Sequence, residues 1–140
     1  MGFMNLRRRK KLQERLVEAA GFGSDRQVRA LLRAGADPNQ PNRDGTTALY
    51  RASVQNRPEN VRVLTAAGAD PHQESGTREE GLPLCAAASW GHNDAVRELL
   101  AAGADPHRAE DGGTGHTAVS WAEAGGHQHT LTLLTAAATR

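Results

Sequence analysis

Six histidines, one cysteine and one run of cations are the residues of this 140-residue chain whose type and spacing could carry chemistry. The histidines are His72, His92, His107, His116, His127 and His129. A zinc site needs three or four such ligands converging on one point. His127 and His129 form the one close pair, and residues two apart diverge on a helix. Cys85 needs an adjacent base to act as a nucleophile, and the sequence places none beside it. A lone cysteine also excludes an intramolecular disulfide framework and a cysteine-rich zinc site. Gly112-Gly113-Thr114-Gly115 lacks the lysine and the strand-to-helix setting of a phosphate loop, and reads as a hairpin insertion. No pair of carboxylates can be assigned to a cleft. The sequence therefore predicts no catalytic residue, no metal ligand and no cofactor.

The run of cations is Arg7, Arg8, Arg9, Lys10 and Lys11. It has two readings: contact with nucleic-acid phosphates or another anionic surface, or a solvated first turn. The solvated turn is favoured. It leads into a helix whose Leu12, Leu16 and Leu6 face inward, and no aromatic residue interleaves the cations to stack on bases. The whole chain carries 17 basic and 16 acidic residues, a net of +1. Without residues 7–11 the body carries a net of −4. Overall charge thus gives no reason to expect nucleic acid. No apolar stretch follows the cations as in a secretory signal, and none approaches the ~18–20 residues of a membrane span. A cytoplasmic location is expected. Met4 offers a second start beside Met1, and the abundance of Arg, Ala and Gly fits a GC-rich, bacterial genome.

These features must be positioned by elements built mostly from small residues. Aromatics make up 4% of the chain, whereas Ala supplies 24 residues and Gly 15. Such a composition lacks the bulk for one large core and predicts small, close-packed units. Internal repetition supplies them. Gly-Ala-Asp-Pro occurs at 35–38, 68–71 and 103–106, each time closing an apolar stretch: Val28 to Leu32, Val61 to Leu64, and Val96 to Leu100. A fourth apolar stretch, Leu131 to Leu134, lacks that ending. Upstream, Thr47-Ala48-Leu49-Tyr50, Leu82-Pro83-Leu84-Cys85 and Thr117-Ala118-Val119-Ser120 recur every 35 residues. Each unit reads as helix, loop, helix. Gly91 and Asn56 occupy a left-handed turn between the helices, Pro58 falls at N1, and Ser24 with Gln27 has capping-box spacing. His92 is expected to cap the helix it precedes. Gly35, Gly68 and Gly103 sit where a helix ends. The alanine pairs 19–20, 86–87 and 101–102 are expected to let neighbouring helices approach.

Asp44-Gly45-Thr46-Thr47-Ala48-Leu49, Pro83-Leu84-Cys85-Ala86-Ala87, Gly91-His92 and Gly35-Ala36-Asp37-Pro38-Asn39 together resemble the ankyrin repeat, over about residues 12–138. The resemblance implies an all-α solenoid of about four stacked helix-turn-helix units with hairpin-like turns. These would be an N-terminal cap at 12–43, repeats at 44–78 and 79–111, and a C-terminal cap at 112–140, behind a basic leader at 1–11. It places His92 and His127 in a structural slot. The family's motif histidine is replaced by Tyr50, Cys85 and Ser120, and two turns, 72–81 and 107–116, run two residues long. Both departures imply weaker coupling between repeats and mobile tips.

The resemblance further implies a non-catalytic module, a monomer, that binds a protein partner through a concave face and hairpin tips. On that basis the candidate contact residues are Phe22, Arg43, Asp44, Tyr50, Gln55, Arg78, Glu79, Trp90, His116 and Trp121. Phe22, Gln55 and Trp90 share the slot before the interhelical turn. Trp121 and Tyr50 lie nearer the hairpins, where they either face a partner or fill the gap left by the missing histidine. Trp, Tyr and Arg are the favoured anchors of interfaces. Binding by a module this small would itself be the function, as an inhibitor, adaptor or accessory subunit.

Overall fold

Apolar residues recurring three and four apart, between glycine and proline stop signals, give helices throughout. The computed structural model describes residues 5–76 and 79–139. Arg78 and the alternative starts Met1 and Met4 lie outside the described residues. Helix α1 (Leu6–Phe22) starts at Asn5, whose side chain accepts the Arg8 N–H at 2.9 Å. Helix α2 (Asp25–Arg33) starts at the Ser24–Gln27 capping box. The pairs α3 (Ala48–Val54) and α4 (Pro58–Ala66), α5 (Pro83–Ser89) and α6 (Asn93–Ala101), and α8 (Ala118–Gly125) and α9 (Gln128–Ala138) repeat the pattern. A single turn, α7 (Glu110–Gly113), sits in the third tip. No strand occurs among the described residues.

The helices form two layers. In the inner layer α1 packs on α3, α3 on α5, and α5 on α8; in the outer layer α2 packs on α4, α4 on α6, and α6 on α9. One core position per helix recurs with the period. Leu16, Leu49 and Leu84 fill the inner layer, and Val28, Val61 and Val96 the outer. The fourth members, Val119 and Leu131, in the terminal pair of described helices, are only partly buried. Ala52, Ala87 and Ala122 are fully buried where adjacent inner helices meet. Ala20, Ala86 and Ala87 behave as the sequence suggests. Ala101 and Ala102 do not: they are exposed at the end of α6, whereas Ala95 within α6 and Ala104 in the following turn are buried.

Leu6 also departs from expectation, at 65% exposed. The cause is length. At 1.5 Å per residue α1 runs about 25 Å and its neighbour α3 only about 10 Å, so the first turns of α1 have no inner helix opposite. The basic run is therefore the solvent-exposed start of α1 and is helical from Arg7.

Side chains tie the turns down along both edges, within the first unit and between the later ones. On the tip side, Gln13 accepts the Asp37 N–H at 2.6 Å and donates to the carbonyls of Asp37 and Gln40 at 3.0 and 2.7 Å. One unit on, Asn39 accepts the Asp70 N–H at 2.7 Å and donates to the Gly68 carbonyl at 2.9 Å. In the next, His72 Nε2 accepts the Asp105 N–H at 3.0 Å, which fixes its proton on Nδ1. On the opposite edge, Arg57 donates to the Gly21 carbonyl at 2.9 Å. In the same slot of later units, His92 and His127 reach the carbonyls of Val54 and Ser89 at 3.1 and 3.0 Å. The His92 side chain thus bridges units and makes no cap bond to its own helix. Gly91 is required here: its φ is +69°, and a Cβ would stand 2.7 Å from the His127 ring.

This ladder gives a direct comparison. Gln13→Ala orphans a loop amide and is expected to cost about 1–3 kcal/mol in urea unfolding. His72→Ala should cost about 1 kcal/mol, whereas His107→Ala, whose exposed side chain forms no hydrogen bond among the described residues, should stay within about 0.5 kcal/mol.

Candidate functional site

The candidate residues separate into two rows at opposite ends of the inner helices. Phe22 ends α1, Gln55 and Trp90 follow the last residues of α3 and α5, and Gly125 ends α8. Phe22 is 60% and Trp90 65% exposed. Gln55 lies between them in the stack and is also exposed. Two repeat widths of roughly 10 Å separate the two aromatics, so they mark two points along one edge and do not form a cluster. Phe22 also borders an open groove of about 400 Å3 whose walls include Glu14, Glu18, Arg43 and Arg51.

The second row lies where the inner helices begin, against the hairpin tips. Thr47 and Thr117 cap α3 and α8 with their side chains. Leu82 has no capping side chain, and Glu110 substitutes by accepting the Leu82 N–H at 3.1 Å. One period earlier Ser75 does the same for Thr47 at 2.9 Å. Glu80 holds that hydroxyl in turn, accepting from Ser75 at 2.8 Å and from Thr46 at 2.9 Å. The missing motif histidine is thus bypassed: coupling runs through Ser75, Glu80 and Glu110.

Those carboxylates gather the aromatic residues of the row. Trp121 is half-buried and donates its indole N–H to Glu110 at 2.9 Å. Exposed His116 packs on Trp121, with ring centroids 4.8 Å apart at a 50° tilt. Tyr50 is half-buried; burial first, then the charges of Glu80 and Glu110, raise its phenol above the ordinary value. Trp121 and Tyr50 therefore do both jobs, filling the joint between units and showing one side to solvent. Asp44, Arg43 and Glu79 stand exposed around them. Arg43 pairs loosely with Glu14, at 3.7 Å. The Asp111 N–H donates to the Glu74 carboxylate across neighbouring tips. Glu110 escaped sequence reasoning, although its alignment with Ser75 at a spacing of 35 was a usable signal.

The remaining chemistry is held in structural roles. His72, His92 and His127 bond to backbone, and His129 Nε2 lies 3.0 Å from an Arg97 nitrogen. Among the described residues, no three His, Cys, Asp or Glu side chains come together as a metal site would require. Cys85 is 1% exposed, and burial followed by the Glu110 charge pushes its thiol well above the ordinary range.

The same two layers and the same slots appear in a known family. A model described as ankyrin repeats (3 copies) matches residues 8–75, and one described as ankyrin repeat matches 82–111. The chain belongs to the ankyrin-repeat family. Ankyrin repeats are in general protein–protein interaction modules, and the family is typically non-enzymatic. No curated protein matches the chain. No helix among the described residues is long and apolar enough to cross a membrane.

Two properties of this ankyrin stack can be measured directly. The Cys85 thiol should resist Ellman's reagent at pH 8 in the native protein and react fully once it is unfolded. Burial also holds the His92 imidazole below its ordinary value, against the opposing pull of its bond to Val54. The unfolded chain therefore takes up this proton first as pH falls. Stability should be complete above about pH 6.5 and decline as pH drops from there toward the lower folded value. His92→Asn should flatten that slope in urea unfolding.

Proposed function

We propose that the protein binds a protein partner across the exposed face of its inner helices, from the Phe22–Trp90 edge to the hairpin tips. The observation that carries this reading is Trp90, left 65% exposed in a chain whose aromatics are only 4% of residues. A large aromatic in solvent on a stack otherwise rich in alanine is the usual form of an interface anchor. Gln55 and Arg43 extend the contact, and Asp44, Glu79, His116 and the outer sides of Tyr50 and Trp121 give it orientation. Arg78 belongs to the same proposal on sequence grounds alone. The partner would be occluded, bridged or assembled by binding alone, so the role is that of an inhibitor, adaptor or accessory subunit, in a cytoplasm where Cys85 stays reduced. Nucleic-acid binding through Arg7–Lys11 has only charge in its favour.

Trp90→Ala should leave the unfolding midpoint nearly unchanged, because the side chain is mostly in solvent. It should weaken partner binding by about thirty-fold, the ~2 kcal/mol typical of an anchor. Affinity capture from native lysate, with wild type and Trp90→Ala in parallel, reads this out. Equal recovery of every captured protein by the two would place the contact elsewhere.

A further inference from the structure

The overhanging start of α1 forms one wall of a groove of about 830 Å3, and the loop at 35–43 forms the other. Leu6, Arg9, Lys10 and Gln13 face it from the helix, at the three- and four-residue spacing of a single helix face. Arg43 faces it from the loop, with its side chain 85% exposed. The floor is rigid, since buried Gln13 ties Asp37 and Gln40 to α1 through three hydrogen bonds. Arg9 and Lys10 are exposed and form no ion pair among the described residues, and the first turn of α1 holds no acidic residue. The positive end of the helix dipole adds to their field.

Among the described residues the rest of the rim is mostly acidic, with exposed Arg108 as its one cation. Glu74, Glu79, Glu80, Glu110 and Asp111 occupy the second and third tips. A long polyanion laid along the tips would meet carboxylates within roughly one repeat width, about 10 Å. What fits is short and enters from the end of the stack.

From this charge layout we infer that the groove docks a short acidic segment of a protein, carrying carboxylates toward Arg9, Lys10 and Arg43 and one apolar side chain toward Leu6. This deepens the protein-binding reading and rests on it. The acidic tips then favour a partner that turns basic beyond that segment. Docking is therefore polar along the stack, with the partner's direction set by charge.

The test uses the full chain and a short fluorescein-labelled glutamate–leucine peptide, read by fluorescence anisotropy at about 0.1 M salt. Wild type should bind it. Reversing the groove cations (Arg9→Glu, Lys10→Glu, Arg43→Glu) should raise Kd by at least about tenfold, whereas the same number of reversals off the groove (Arg7→Glu, Arg8→Glu, Lys11→Glu) should raise it less than about threefold. Should the groove triple fail to fold by circular dichroism, the milder Arg9→Gln, Lys10→Gln pair replaces it, with an expected loss of about threefold or more. Equal losses from both triples would mean diffuse attraction and overturn the inference. So would no binding by wild type, or tighter binding to duplex DNA or to phosphatidylserine vesicles under the same conditions. Trp90-dependent capture is measured separately, so failure here leaves that reading standing.

Discussion

A two-helix unit of this size cannot satisfy its own loops. Each turn that leads from an outer helix to the next inner helix presents backbone N–H and carbonyl groups, and the short inner helices α3, α5 and α8 leave most of their end groups unpaired. The neighbouring unit supplies most of the partners, Asn39 and His72 on one edge and Arg57, His92 and His127 on the other, while in the first unit Gln13 of its own long helix does so. Everything else follows from this dependence. The period of the sequence, the buried leucine and valine of each unit and the alanine seams all serve to bring the right side chain to the right carbonyl. At the end of the described stack His107 is exposed and Val119 and Leu131 are only partly covered.

The same dependence separates the two ends of the inner layer chemically. At the turn edge, backbone groups are met by Arg57 and the histidines, leaving the preceding position free to vary; there the protein exposes Phe22, Gln55 and Trp90. At the tip edge, the joints need acceptors for the amides that start α3 and α5. Ser75, Glu80 and Glu110 provide them, and the tips become acidic as a consequence. The first unit is built differently. Its long helix overhangs the stack and carries cations where later units carry carboxylates. A partner lying along the tips therefore meets positive charge first and negative charge afterwards.

The ion pairs lie mostly outside this scheme. Arg29, Arg62 and Arg97 occupy one slot of the outer helices, and each is neutralised, by Asp25, Glu98 and Asp94. Only Arg62–Glu98 links two units; the other two lie within a helix. Exposed pairs of this kind contribute about 0–1 kcal/mol, so the outer layer is held by its valines and leucines.

By itself the sequence determined the period, the order of the paired helices, the left-handed positions at Gly91 and Asn56 (φ +69° and +52°) and the capping box at Ser24. These are short-range properties: apolar spacing, turn chemistry and caps act within a few residues and are written where they act. It also placed Trp90 correctly at the end of α5, because the slot is counted from the adjacent glycine. Tertiary structure decided the rest. Leu6 is exposed because α1 is longer than the helix beside it, and Ala101 and Ala102 face solvent because the layer turns away from them. His92 and His127 reach across units, and Glu110 caps α5 at Leu82, 28 residues before it in the chain. Each of these outcomes depends on which residue of one unit comes to lie against another, a distance that no local pattern records.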